Sequence, residues 1–271
     1  VAARPLTGWR AAAATMLCAT ILGLGFVVPV GQLAVWSLGV IDTWTLGPRF
    51  LAALRNSVTL SGLAALVATA LAVVLAYGLR LHPTPTVRVS ARFAAMGYAL
   101  PGAVIAVGIL LPLARLDHAL ADAAERLLGV EGRLVITGSA AGLVFAYVVR
   151  FLAVAFHTLE ASLAGIPRSL DDAARSLGAG AGESLRRVHV PLMRRGLLTA
   201  LVLVFVETMK EMPATLLLRP FGGDTLAVTV WEWTSESMWA EAAVPALTIV
   251  AAGLVPVFVV IRLTAGGAPR T

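Results

Sequence analysis

Long apolar runs separated by short polar connections make up the chain. A helix needs about 20 mostly apolar residues to cross a bilayer. Six windows reach that length: 11–36, 56–79, 93–114, 134–156, 196–218 and 240–261. The first three carry no charged side chain. The fourth carries only Arg150, near its end, where a long side chain can snorkel to the interface. The sixth carries only Glu241, at its start, whereas the fifth holds Glu207, Lys210 and Glu211 well inside. Barrel strands would be about ten residues of alternating polarity. The runs therefore predict an all-α membrane protein with six transmembrane helices. Window 11–36 is too long for a signal peptide and no small-residue cleavage site follows it, so it reads as a first span.

Composition agrees. The 271 residues are 59% hydrophobic and 13% charged, with a mean hydropathy of +0.88. Soluble domains are nearer half apolar and a quarter charged, so a bilayer is the natural solvent. Cys18 is the single cysteine, which excludes an internal disulfide, and it sits in an apolar run. The net charge of +6 raises the question of nucleic acid, but its distribution answers it. Loops on one side hold fourteen arginines, two of them at span ends, against Glu160, Asp171, Asp172 and Glu183. The opposite loops hold six arginines against nine acids. This asymmetry places both termini and the loop 158–195 in the cytoplasm. The basic residues form no single stripe with interleaved aromatics, and no nucleic-acid role follows.

The loop 158–195 carries the densest local patterning. Ser169 with Asp172 fits a capping box at a helix start. Leu170, Ala173, Ala174 and Leu177 share one helical face. Gly178 suits the left-handed position that ends a helix. A second short helix, 183–190, is expected to stop at Pro191. An amphipathic pair resting on headgroups would look the same from periodicity alone.

The motif spacing decides further. Asp172-Ala173-Ala174, three residues, Gly178, then Val188 and a closing Pro191 resemble the EAA loop of ATP-binding-cassette importer permeases. Asp172 stands where that family has Glu. The resemblance implies a type I importer permease fold, in which this loop docks a groove of a cytoplasmic ATPase subunit. A second stretch, residues 210–224 (KEMPATLLLRPFGGD), resembles ferric-iron-type permeases, with Met212 for the usual Leu; residues 98–108 (YALPGAVIAVG) resemble their third span. The likeness is strongest to the second half of their larger, fused protein. It implies ATP bound on the partner subunit, no cofactor on this chain, a periplasmic binding protein that delivers substrate, and a second permease half, either a like or a related chain. It points to ferric iron, with thiamine, a polyamine or an oxyanion as alternatives.

The fifth window has its own physics. Glu207 lies about 16 Å into a helix begun at Gly196, near the middle of a hydrocarbon core about 30 Å thick. A charge there costs about 2.5–3.5 kcal/mol on insertion scales, so it should face protein or water. Glu207, Lys210 and Glu211 fall on one helical face, and Pro213 should kink the helix. With Thr215 they are candidates for a pathway or gate, or for a structural ion-pair lock.

Other chemistry is excluded. Lys210 is the only lysine and no phosphate-loop motif occurs, so this chain should not hydrolyse ATP. His82, His118, His157 and His189 lack metal-ligand spacing. An ion-coupled secondary transporter using Glu207 or Glu211 as a relay is the competing class, but no repeat between the two halves is visible. The expected organisation is a first segment 1–52, a permease core 53–263 of five helices, and a disordered tail 264–271. The bacterial inner membrane is the expected location.

Overall fold

The computed structural model describes residues 6–40, 46–129 and 136–265. Helices are the only regular structure among them. In chain order these are α1 Trp9–Leu38, α2 Pro48–Leu81, α3 Pro85–Ala94, α4 Gly102–Leu128, α5 Ala140–Ala164 and α6 Ser169–Ser176. They continue with α7 Ala181–Leu192, α8 Arg194–Met209, α9 Pro213–Leu218, α10 Leu226–Ser235 and α11 Trp239–Ala265. The expected disordered tail lies, from residue 266 onward, outside the described residues.

Local chemistry sets the starts. Pro48 and Pro85 occupy the first turn of α2 and α3, where their missing N–H is no loss. Thr84, Ser139 and Thr225 accept the N–H groups of Val87, Gly142 and Val228 through their hydroxyls.

Helix α5 is the centre of the bundle. Leu143, Tyr147, Phe151, Phe156 and Leu159 are buried along it. Helix α2 meets it through Ala64, Ala68, Ala72 and Ala76, a four-residue-spaced stripe. Small residues let helix backbones approach closely in lipid, where the hydrophobic effect does not drive helices together. Gly97 sits directly on the Val149 carbonyl and Gly196 on Ser162, so a Cβ at either would overlap its neighbour. Helix α8 closes the core with Ala200 and Val204. Helix α1 lies outside: its second half packs on α11, and nothing in its apolar window is buried.

Two boundaries differ from expectation. The third run does not start a span at residue 93. Residues Ala95–Ala99 form a 3-10 turn, and the spanning helix starts at Gly102, after Pro101. The fourth span runs Ala140–Ala164 rather than 134–156. This moves Arg150 from near a span end to about 15 Å inside its helix. Arg150 does not snorkel; it turns inward, as described below. Among the described residues, five helices are long and apolar enough to cross a membrane alone. Helix α8 is sixteen residues and about 24 Å long, and makes a sixth candidate only together with α7, from which it is bent by 79°.

Candidate functional site

The loop after α5 folds back as α6 and α7, and one carboxylate fastens it. Arg80, at the end of α2, donates from Nε and Nη2 to Asp171 Oδ2 at 3.0 and 2.6 Å. Its guanidinium also donates to the carbonyls of Leu163, Ile166 and Pro167. Thus one planar guanidinium, through its Nε, Nη1 and Nη2 groups, ties the ends of α2, α5 and α6 together. The other Asp171 oxygen lies 2.8 Å from Nε2 of His189. His189 is fully buried, its Nδ1 lies 3.1 Å from the Ser184 carbonyl, and its ring packs against Tyr77. Tyr77 in turn donates to the Ala181 carbonyl. Burial opposes ionisation of Asp171, but the Arg80 hydrogen bonds and charge, with His189 beside it, outweigh that and hold its carboxyl below the usual carboxylate range.

The adjacent Asp172 does the opposite. It points to solvent and pairs with Arg175, also exposed. Leu170, Ala173 and Leu177 are exposed beside it, while Ala174 faces the protein. The four-residue apolar face expected here is therefore split: Ala174 anchors the helix and the others are free. The expected capping box is absent. Arg168 precedes α6 in a helical conformation and no side chain caps it, because the turn at Pro167 already leads into the helix. Gly178 ends α6 at φ +81°, and Ala179 N–H donates to the Ala174 carbonyl at 3.0 Å. Pro191 does not stop the second helix. A π-turn, Leu185–His189, precedes it and α7 runs on to Leu192. The wider turn accommodates a residue that has no N–H to give the ladder. Val188 is partly buried on that turn and Pro191 is exposed. The chain then bends by 79° into α8.

The second cluster sits where the fifth window breaks. Helix α8 ends at Met209, Lys210–Met212 are non-helical, and Pro213 opens α9. The expected kink is a full break, and it separates the three charges. Lys210 Nζ pairs with Glu207 Oε1 at 2.8 Å on an exposed face. Glu211, past the helix end, turns to the interior, so it does not share their face. Its Oε2 lies 3.2 Å from Nε of Arg150 on α5, and its Oε1 accepts the Ala214 N–H at 3.0 Å. Gly102, at the start of α4, leaves the room: a Cβ there would overlap both Arg150 Nη1 and Glu211 Oε1. Thr215 is fully buried and donates to the Glu211 carbonyl. Its single proton is thereby used, so Tyr147 must donate to the Thr215 hydroxyl. The break thus joins α5, α8 and α9 through polar contacts, with α4 packed close against them at Gly102.

A family model described as "Binding-protein-dependent transport system inner membrane component" matches residues 68–271. The chain belongs to that family. It is a transport permease subunit and a multi-pass membrane protein. The chain is 31% identical over 241 residues to the Fe(3+)-transport system permease protein FbpB 2 of Haemophilus influenzae, covering 88% of this chain and 44% of that protein. It is 34% identical over 232 residues to a probable molybdenum ABC transporter permease of Haloferax volcanii, covering 82% of this chain and 78% of that one. In fold it is similar to a chain in the crystal structure of a bacterial ABC transporter involved in the import of the acidic polysaccharide alginate. That likeness has a TM-score of 0.72 and 14% identity, over 94% of this chain and 95% of the other.

Within this permease the motif residues fall in two places some way apart. Asp172, Ala173, Ala174, Gly178, Val188 and Pro191 lie on the α6–α7 loop; Glu207, Lys210, Glu211, Pro213 and Thr215 lie at the break. Sequence reasoning missed the residues that hold each in place: Arg80, Asp171 and His189 for the loop, Arg150, Tyr147 and Gly102 for the break. One signal was available. Arg150 and Glu211 are opposite charges in neighbouring apolar runs, and charges there need partners.

Proposed function

We propose that this permease forms half of the membrane pathway of an ATP-driven importer, and that ferric iron is the substrate. A periplasmic binding protein delivers it, and a second permease half completes the pathway. Both termini and the α6–α7 loop lie in the cytoplasm of a bacterial inner-membrane protein. The observation that carries the coupling role is the division of labour between neighbouring aspartates. Asp171 is consumed internally, which leaves Asp172, Ala173 and Leu177 presented on a clamped helix pair. A rigid surface of this kind transmits a push; a loop held only by backbone turns would absorb it. ATP is bound and hydrolysed on the ATPase subunit that docks there. At the break, Glu207 and Lys210 face the pathway, while Glu211 and Arg150 lock the hinge behind them.

The ferric assignment rests on the 210–224 segment and on the Haemophilus relative. An oxyanion is the second reading, supported by the Haloferax relative, which this chain covers over most of its length. Proteoliposomes holding the permease with its native ATPase and binding protein discriminate the two. ATP-dependent accumulation of radiolabelled ferric iron, unaffected by excess molybdate, supports iron. Accumulation of labelled molybdate alone replaces it, and uptake of either without ATP overturns the importer mechanism.

A further inference from the structure

Beside the loop clamp, a cavity of about 490 Å³ opens between the ends of α2 and α5 and the short helix α3. Its floor is apolar, with Ala76, Phe156 and Leu163. Its rim is basic: Arg88 and Arg92 come from α3, one turn apart, and Arg168 comes from the start of the α6–α7 loop. Arg80 also lines the cavity, but Asp171 already balances its charge. Among the described residues Glu160 is the one acid on the rim, and it lies 3.6 Å from His157. Arg92 and Arg168 make no ion pair among the described residues.

Helix α3 is sided in a way that narrows the occupant. Ala91 faces the protein, whereas Val89 and Phe93, with Met96 just beyond, form an exposed apolar stripe at i, i+4 and i+7. The arginines flank that stripe on the cavity side. One surface therefore offers guanidinium groups for an anion and, within one helical turn, apolar side chains for hydrocarbon. A soluble anion has no use for the stripe. A phospholipid of the surrounding leaflet has both parts, and basic pockets at the arginine-rich end of a membrane bundle suit anionic headgroups.

The geometry points to an anionic phospholipid site here, with the headgroup phosphate held by Arg92 and Arg168, assisted by Arg88, and an acyl chain lying along Phe93 and Val89. The site rests on the orientation proposed above, which puts this end in the headgroup layer. Because Arg168 begins the loop that Asp171 clamps, an occupied site steadies the α6–α7 pair from the membrane side.

The test uses the complex assembled with its ATPase and stripped of lipid in detergent. Phosphatidylglycerol, phosphatidylcholine and inorganic phosphate are added separately, with native mass spectrometry for adducts and thermal unfolding for stability. Phosphatidylglycerol should give a retained adduct and a raised midpoint, and the other two neither. R92Q/R168Q should weaken the adduct roughly 25-fold, at about fivefold per arginine. Glu160→Gln, which removes that acid, should strengthen it and guards against a double variant that merely folds poorly. Equal adducts in all three proteins would overturn the site. A midpoint raised as much by inorganic phosphate would make it a soluble-anion site, and loss of ATPase from R92Q/R168Q before any lipid is added would make the patch a protein contact; either result also overturns the lipid assignment.

Discussion

Asp171→Asn isolates the clamp, because it keeps the shape and removes the charge. Removing one partner of a fully buried ion pair costs about 3–5 kcal/mol. Here the Asp171 side chain retains 16% exposure and Arg80 keeps its three carbonyl acceptors, so about 2 kcal/mol is the expected loss. At 1.4 kcal/mol per tenfold, that is about a 25-fold rise in local opening. Amide hydrogen exchange across residues 169–192 reads this directly, as faster exchange in α6 and α7 with α2 and α5 unchanged. The pH dependence has a definite sign. Asp171 is held below the usual carboxylate range, so its contribution is present at neutral pH and is lost as pH falls through that depressed value. Wild-type protection in the loop should fall on such acidification, and Asp171→Asn should lack that step. Asp172→Asn supplies the contrast: loop protection in the isolated permease stays at the wild-type level while ATPase association weakens. Unchanged exchange in Asp171→Asn would refute the clamp. Equal behaviour of the two variants would refute the division between them.

Three further outcomes follow from the geometry. Gly178→Ala meets no neighbour within 4 Å, so any loss is backbone strain at φ +81°, about 1–2 kcal/mol; a thermal midpoint identical to wild type would mean that α6 does not end in the left-handed conformation. Thr215→Val strands the buried Tyr147 hydroxyl and should cost about 1–3 kcal/mol, and Tyr147→Phe in the same chain should restore much of it; a double variant no better than the single would remove that hydrogen bond from the account. Lys210→Ala breaks a pair whose lysine is 58% exposed, so unfolding should shift by less than about 1 kcal/mol while ATP-dependent uptake drops; normal uptake would take this face out of the pathway.

How much of this was legible in the sequence differs by level. Apolar run length gave the spans, because lipid requires every backbone amide to be satisfied within the segment. Run length gave no boundaries, however. Residues 93–99 are as apolar as a span, yet Gly97 seats on Val149 and Pro101 ends the turn, so the helix starts later. The loop motif marked the candidate site. It singled out Asp172 but gave Asp171 no role, since the partner of Asp171 comes from a distant helix. Asp171 turns inward because Arg80, ninety-one residues earlier, ends α2 at that height.

The sequence alone therefore determined that the chain lives in a membrane as helices and which connecting segments hold its arginines. These are properties of runs and spacings, set by the bilayer and by helical geometry. Only the tertiary structure decided which charges are partners. Glu207, Lys210 and Glu211 read as one face until the break before Pro213 turned Glu211 toward Arg150. Ion pairing depends on distances of a few ångströms between separate helices, and such distances are fixed by small-residue packing such as that of α2 on α5, which periodicity does not encode.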